Sequence, residues 1–158
     1  MGETVVGIGG GEVVKDPGKL AAYALGSCVG ICLYDERVKV AGMAHILLPS
    51  QQAAINKKNP YKFADTAVSQ LIGEMERKGA SRDRMVAKIA GGAEMFKNAS
   101  GPQGIGLRNV SAVKEALHKE RIPLKAEDTG ENYGRTVYFS ACNGAMAVKS
   151  MGKRMRTL

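Results

Sequence analysis

Cys28 and His45 are the two residues whose types and spacing could support covalent chemistry. Cys28 follows Gly26 and Ser27 directly before an apolar stretch, so a small-residue turn should leave its sulfur exposed at the start of a strand. Backbone N–H groups in such a turn can point at a reacting carbonyl group. His45 lies seventeen residues further on, in the next apolar stretch. If these stretches pair antiparallel through a turn at Glu36, the thiol and the imidazole meet at the open end of the pair.

A histidine beside a cysteine lowers the pKa of the thiol and favours a thiolate at neutral pH. The pair therefore predicts acyl transfer on an amide, with Cys28 as nucleophile and His45 as base. Gly26 and Ser27 are then the candidates for the oxyanion and substrate-binding positions. The alternative is a buried cysteine and a core histidine that is hydrogen-bonded to a backbone carbonyl. Spacing alone leaves both interpretations open.

The remaining candidate groups favour structural roles. On one strand, Cys28 and Cys32 would share a face about 13 Å apart, which is too far for one metal ion or a disulfide. Cys32 is therefore predicted to be a core thiol, and neither a metal nor an organic cofactor is expected. His118 lies beside the apolar stripe of a helix and is predicted to be at the surface. The glycine run at residues 7–11 lacks phosphate-loop spacing and predicts a turn or bulge between strands.

Composition excludes several classes of protein. The chain has 158 residues, enough for one domain, with three cysteines and a net charge of +8. An odd cysteine count without a signal peptide predicts reduced thiols in the cytoplasm. No membrane insertion is expected, because no apolar stretch approaches the roughly 18 residues that a spanning helix needs. Nucleic-acid binding is not expected, because basic and aromatic residues are not interleaved. Residues 150–158 predict a basic C-terminal tail that is either solvated or in contact with an acidic partner.

The elements that position these residues are mostly short strands. Strand patterns occur at residues 4–8, 12–15, 20–24, 29–34, 38–48, 85–90, 122–127, 136–139 and 145–149. Apolar spacing from Phe63 to Met75 predicts one helix, and a second begins near Asn109 as its N-cap. Residues 50–60 predict a mobile loop, and Asn143-Gly144 predicts a hairpin turn. This mixture favours an α+β layered sandwich over a doubly wound sheet.

Six blocks follow one another in a fixed order along the chain. They are Leu25-Gly26-Ser27-Cys28-Val29, Gly42-Met43-Ala44-His45-Ile46-Leu47-Leu48-Pro49, Tyr61-x-x-Ala64-Asp65-Thr66-Ala67, Lys88-Ile89-Ala90-Gly91-Gly92-Ala93-x-Met95-Phe96, Ile105-Gly106-x-Arg108-Asn109 and Ala126-Glu127-Asp128-Thr129-Gly130. This ordered set resembles the chemoreceptor glutamine deamidase family, CheD, and the resemblance covers roughly residues 5 to 149.

The resemblance implies an activity and a set of partners. It implies hydrolysis of selected chemoreceptor glutamine side chains to glutamate with release of ammonia, with Cys28 as nucleophile and His45 as base. It also implies a single domain at residues 1–149, built as a layered α/β sandwich with mixed and antiparallel sheets like that of bacterial toxin deamidases. The chemotaxis phosphatase CheC is a further implied partner.

One departure from the family concerns the group that orients the histidine. The family carries a threonine five or six residues before the cysteine, where this chain has Ala22 and Tyr23. Ser27, Tyr23 or a backbone carbonyl could therefore orient His45, and the sequence does not choose among them. This departure also keeps open a non-catalytic interaction module that binds the phosphatase or the receptor.

Overall fold

The computed structural model describes residues 2–51, 59–95 and 104–158, in which two five-stranded sheets and two α-helices are formed. The strands are β1 (Glu3–Val5), β2 (Gly11–Lys15), β3 (Lys19–Leu25), β4 (Val29–Asp35), β5 (Val40–Ile46), β6 (Met85–Gly91), β7 (Leu124–Thr129), β8 (Arg135–Ser140), β9 (Met146–Ser150) and β10 (Arg156–Thr157). The helices are α1 (Ala64–Arg77) and α2 (Ile105–Lys119).

The two sheets and the helices stack in three layers. The central sheet has the order β2-β5-β4-β6-β7, with only β6 and β7 parallel. The outer sheet has the order β1-β3-β8-β9-β10, with only β1 and β3 parallel. Both helices cover one face of the central sheet, and the outer sheet covers the other. The predicted α+β layered sandwich with mixed sheets is confirmed.

Strand β4 lies in the middle of the central sheet and is buried along its whole length. Val29, Ile31 and Leu33 pack toward the helices, whereas Cys32 and Tyr34 pack between the two sheets. A strand covered on both faces needs an uninterrupted apolar sequence, as in buried parallel strands. This explains why the stretch shows no polar alternation, and it confirms Cys32 as a core thiol.

The start of the second helix differs from the prediction. Helix α2 begins at Ile105 after Gly104, so Asn109 lies inside the helix and is not its N-cap. The Asn109 side chain is fully buried. Asparagine is a poor residue for a helix interior because its amide competes with the backbone for hydrogen bonds. It is tolerated here because its amide donates to two other segments of the chain.

The last residues differ from a freely solvated tail. Arg156 and Thr157 form β10, which pairs antiparallel with β9. The Arg156 Nη1 atom also lies 3.4 Å from Asp128 Oδ2. The boundary at residue 149 between domain and tail stays a prediction. Residues 52–58 of the predicted loop lie outside the described residues, and no helix in the described ranges is both long and apolar enough to cross a membrane.

Candidate active site

Cys28, directly before β4, and His45, in β5, lie on the same face of the central sheet. In the antiparallel pair of β4 and β5, Gly30 is directly opposite His45. Cys28 is two residues before Gly30, and side chains two residues apart point to the same face. Both therefore face the outer sheet, at diagonal positions whose Cβ atoms usually lie within about 8 Å of each other. The strand pairing predicted from the sequence is confirmed.

The imidazole of His45 is oriented by the backbone carbonyl of Val6. The His45 Nδ1 atom lies 3.0 Å from the Val6 oxygen. A carbonyl oxygen can only accept, so Nδ1 must carry the ring proton and Nε2 must carry the lone pair. That Nε2 atom is buried and has no hydrogen-bond partner within the described parts of the chain. The imidazole therefore presents a free base on the side away from Val6.

The glycine run before β2 supports the same residue. Gly9 N donates to the His45 carbonyl over 2.8 Å, and His45 N donates to the Gly10 carbonyl over 3.0 Å. Gly10 N also donates to the Gly7 carbonyl over 2.8 Å, which closes a turn between β1 and β2 as predicted. This turn therefore holds the backbone of His45, while the Val6 carbonyl holds the imidazole ring.

The other candidates for the orienting group have different contacts. The Tyr23 hydroxyl donates to Glu3 over 2.6 Å, a bond that raises the pKa of Tyr23 to about 12. Ser27 is held through its backbone carbonyl, which accepts a hydrogen bond from Asn109. Ala22 is buried between the sheets opposite Val137. None of these side chains bonds the imidazole in the described structure, so the Val6 carbonyl takes the orienting role that the sequence left open.

The expectation of an exposed sulfur is wrong. Cys28 is only 6% exposed and His45 only 2%. Burial raises the pKa of the Cys28 thiol, although the residue's own backbone N–H acts in the opposite direction. Burial also lowers the pKa of His45, and the Val6 carbonyl offsets part of this. Both shifts favour the neutral forms, so the resting groups are a thiol and a neutral imidazole and not the thiolate expected from the sequence.

Gly91, the last residue of β6, and Gly92 after it fix the turn that carries Cys28. Gly92 N donates to the Cys28 carbonyl over 2.8 Å, and Ala93 N donates to the Gly26 carbonyl over 2.9 Å. A Cβ atom on Gly91 would lie 2.2 Å from the Cys28 carbonyl oxygen. A Cβ atom on Gly92, where φ is +68°, would lie 2.2 Å from Cγ2 of Val110. Only glycine permits this approach, which explains the role of the Gly91-Gly92 block.

We expect Gly92→Ala to destabilise the protein and to lower its activity. A left-handed φ costs a non-glycine residue roughly 1–3 kcal/mol, and the clash with Val110 adds to that strain. The displaced backbone would also carry Cys28 away from its position. Urea unfolding measures the loss, and Gly73→Ala is the control because a Cβ atom there meets nothing within 4 Å. Equal stability of Gly92→Ala and the wild type would contradict this account of the turn.

The other titratable candidates lie apart from this site. Cys32 is fully buried, and burial raises the pKa of its thiol well above the usual range. His118 is exposed on α2, as predicted, and Cys142 is also exposed. Among the described residues, no group of three or more His, Cys, Asp or Glu side chains is arranged to hold a metal ion.

We expect Cys32→Ala to keep the glutamine deamidation that the family resemblance implies and to lose a little stability. The truncation removes one buried sulfur, and a small core truncation of this kind costs roughly 1 kcal/mol. Turnover and the urea midpoint should be measured on the same preparation. A folded Cys32→Ala protein without turnover would mean that the two buried thiols have been assigned to the wrong roles.

A groove opens beside the turn that precedes Cys28. Its volume is about 480 Å³, and its wall includes Gly26, Tyr23, Met95 and Met151. The three large side chains are 44%, 45% and 77% exposed, respectively. Lys149 also lines the groove, and none of the described residues that line it is acidic. The groove is thus an apolar surface with a cationic rim, adjoining the buried nucleophile candidate.

Comparison with known proteins identifies relatives along nearly the whole chain. Residues 47–150 match the model of a family described as CheD chemotactic sensory transduction. A probable chemoreceptor glutamine deamidase CheD from Caldanaerobacter subterraneus subsp. tengcongensis is 49% identical, over 93% of this chain and 92% of that protein. A protein of the same name from Clostridium botulinum (strain Alaska E43 / Type E3) is 47% identical, over 95% and 94% of the two chains. Among solved structures, the Bacillus licheniformis hypothetical protein YfiH superposes with a TM-score of 0.49 at 15% identity, over 75% of this chain and 49% of that chain.

Proposed function

The chain belongs to the CheD chemotactic sensory transduction family, and on that basis we propose that it deamidates glutamine side chains of chemoreceptors to glutamate, with Cys28 as the nucleophile. The observation that supports the chemistry is that Cys28 and His45 lie on the same face of the central sheet, with His45 Nε2 free to accept a proton. The names of the relatives supply the substrate, since they are called probable chemoreceptor glutamine deamidases.

The first half of the reaction forms a thioester. Because the resting thiol is neutral, Nε2 of His45 takes its proton as the sulfur attacks the side-chain carbonyl carbon of glutamine. The new C–S bond leaves negative charge on the carbonyl oxygen, which backbone N–H groups near Ser27 and Cys28 stabilise. The imidazolium then gives its proton to the amide nitrogen, the C–N bond breaks, and ammonia leaves.

The second half returns the enzyme to its starting state. His45 takes a proton from a water molecule, which attacks the thioester carbon. The C–S bond breaks, the Cys28 sulfur recovers a proton, and the product is a glutamate side chain. The proton transfers need Sγ and Nε2 within hydrogen-bond reach of each other, so we expect substrate binding to rotate one of the two side chains. Catalytic hydrogen bonds are commonly longer in the free enzyme than in the complex.

The groove beside Gly26 is where we place the polypeptide that flanks the target glutamine. Its apolar wall suits apolar side chains of the receptor, and Lys149 at its rim suits acidic ones. The net charge of +8 would also speed encounter with an acidic receptor surface. We place the activity in the cytoplasm, where free thiols stay reduced. CheC binding is proposed from the family resemblance alone.

A non-catalytic interaction module is the second candidate function. The observation that favours it is the buried Cys28 sulfur, which makes no hydrogen bond with His45 in the described structure. Mass spectrometry of a chemoreceptor fragment incubated with the protein separates the two candidates. Deamidation raises the mass of the fragment by the difference between an OH and an NH₂ group at each modified glutamine. Binding of the fragment without any mass change would support the interaction module.

A further inference from the structure

Asn109 joins the two parts of the site that carry Cys28 and His45. Its Nδ2 atom donates to the carbonyl of Ser27 over 2.9 Å and to the carbonyl of Leu47 over 3.0 Å. Ser27 directly precedes the nucleophile, and Leu47 lies two residues beyond the base. One side-chain amide therefore donates a hydrogen bond to each of the two chain segments that must stay together for the reaction.

The chemistry of the surroundings fixes which end of the amide faces these segments. Both neighbours are carbonyl oxygens, which only accept hydrogen bonds, so the nitrogen of Asn109 must be the atom that faces them. The Asn109 oxygen is buried and has no partner in the described residues. An unpaired buried oxygen lowers stability, and the neighbouring inward positions of α2 are Val110, Val113 and Leu117. An apolar residue would suit this helix face, so the two donated bonds are what the asparagine contributes.

The bond to Ser27 has a consequence for the next peptide group. A trans peptide is planar, so its C=O and N–H point in opposite directions. Holding the Ser27 oxygen toward α2 therefore turns the Cys28 N–H away from α2. That N–H donates to no other backbone group in the described structure. The following carbonyl, that of Cys28, is fixed as well by Gly92 N.

We propose that Asn109 is a positioning residue for deamidation, which aims the Cys28 N–H at the oxyanion and ties the Cys28 turn to the strand of His45. The proposal rests on the proposed function, since it concerns the same reaction. It assigns Asn109 no contact with the substrate. Its effect passes through the direction of one backbone N–H group.

The test compares two variants that lack the amide donors. Asn109→Asp changes one atom of the amide into an acceptor, and Asn109→Leu keeps a similar shape without polar atoms. Three quantities are measured on each variant. They are kcat for a glutamine peptide, the affinity for a peptide analogue in which an aldehyde replaces the side-chain amide, and the rate at which iodoacetamide alkylates Cys28. The aldehyde adds to the thiol and places its oxygen in the oxyanion position, whereas alkylation by iodoacetamide displaces iodide and forms no oxyanion.

The expected pattern is specific to a positioning role. Loss of one oxyanion donor costs about 100-fold or more in rate, so kcat and aldehyde affinity should fall together by about that factor. The rate of alkylation of Cys28 should stay at the wild-type value. Val113→Ala, one turn further along the same helix face, is the control, and it should lose stability while keeping kcat and aldehyde affinity.

Other patterns overturn the proposal. Unchanged kcat, unchanged aldehyde affinity, or an alkylation rate that changes by the same factor would each reduce Asn109 to a structural residue. If neither variant folds, the wild-type protein still decides, because the Cys28 amide proton should become protected from hydrogen exchange when the aldehyde binds. An amide proton that does not respond refutes the proposal. Absence of deamidation by the wild type, with aldehyde capture intact, would instead refute the proposed function.

Discussion

Cys28→Ala is expected to abolish deamidation while leaving the fold intact. Removing the sulfur removes the atom that forms the thioester, and loss of a covalent nucleophile lowers kcat by about 10⁴-fold or more. The fold survives because the change is small: Cys28 is buried but lies directly before β4, where its backbone is held by Gly92 N. Mass spectrometry of a chemoreceptor fragment measures the residual rate, and circular dichroism measures the fold.

Cys32→Ala provides a matched control for this experiment. Both cysteines are buried between the two sheets, with Cys32 inside β4 and Cys28 directly before it. The two variants therefore remove the same atom from similar surroundings and should lose similar amounts of stability. Only Cys28→Ala should lose turnover. Full activity in a folded Cys28→Ala protein would eliminate the proposed mechanism, and equal loss in both variants would point to a structural effect of either truncation.

Most of the strands, and the pairing of β4 with β5, were predictable because burial leaves a clear pattern in the sequence. The apolar stretch at residues 29–34 predicted a strand, which is β4, and Asn143-Gly144 predicted the hairpin between β8 and β9. The start of α2 was not predictable in the same way. Asn109 is a good N-cap residue, and only the tertiary structure shows that its amide is used by Ser27 and Leu47.

The residues of the candidate site were predictable, but their environment was not. Residue type and strand register brought Cys28 and His45 to one face. The depth of burial depends on the outer sheet, whose strands come from both ends of the chain, and so it leaves no local signal. The hydrogen bond between His45 and the Val6 carbonyl leaves no local signal in the sequence either, because every residue has a backbone carbonyl oxygen. Because burial raises the pKa of the Cys28 thiol, we expect alkylation of Cys28 by iodoacetamide to become appreciable only above the ordinary thiol pKa. This result would differ from that of the thiolate expected from the sequence.

His45→Gln is expected to lower kcat by at least about 100-fold, the low end for loss of a general acid–base. Glutamine keeps much of the side-chain volume and can still donate to the Val6 carbonyl, but it cannot carry a proton between sulfur, ammonia and water. In the wild type, the acid limb of the rate profile should lie below the ordinary histidine pKa of 6.5, because burial lowers the pKa of His45. The variant should lack this limb.

The same shift in pKa makes a prediction for stability. Above the ordinary value of about 6.5 the imidazole is neutral in both the folded and the unfolded protein, so it contributes no pH dependence. Below that value the unfolded chain takes up a proton that the folded protein resists, because the folded pKa of His45 is lowered by burial. Stability must therefore fall as the pH drops through this window. His45→Gln removes the titrating group and should lose this part of the pH dependence.

Urea unfolding of both proteins between about pH 8 and about pH 5, the range in which histidine titrates, measures the difference. Carboxylates contribute equally to the two curves, so subtracting one from the other isolates His45. His118→Gln is the matched control, since it makes the same substitution at an exposed histidine on α2. If wild-type and His45→Gln stabilities fall in parallel toward acid, the imidazole is not buried in neutral form. The proton acceptor of the proposed mechanism would then have to be sought elsewhere.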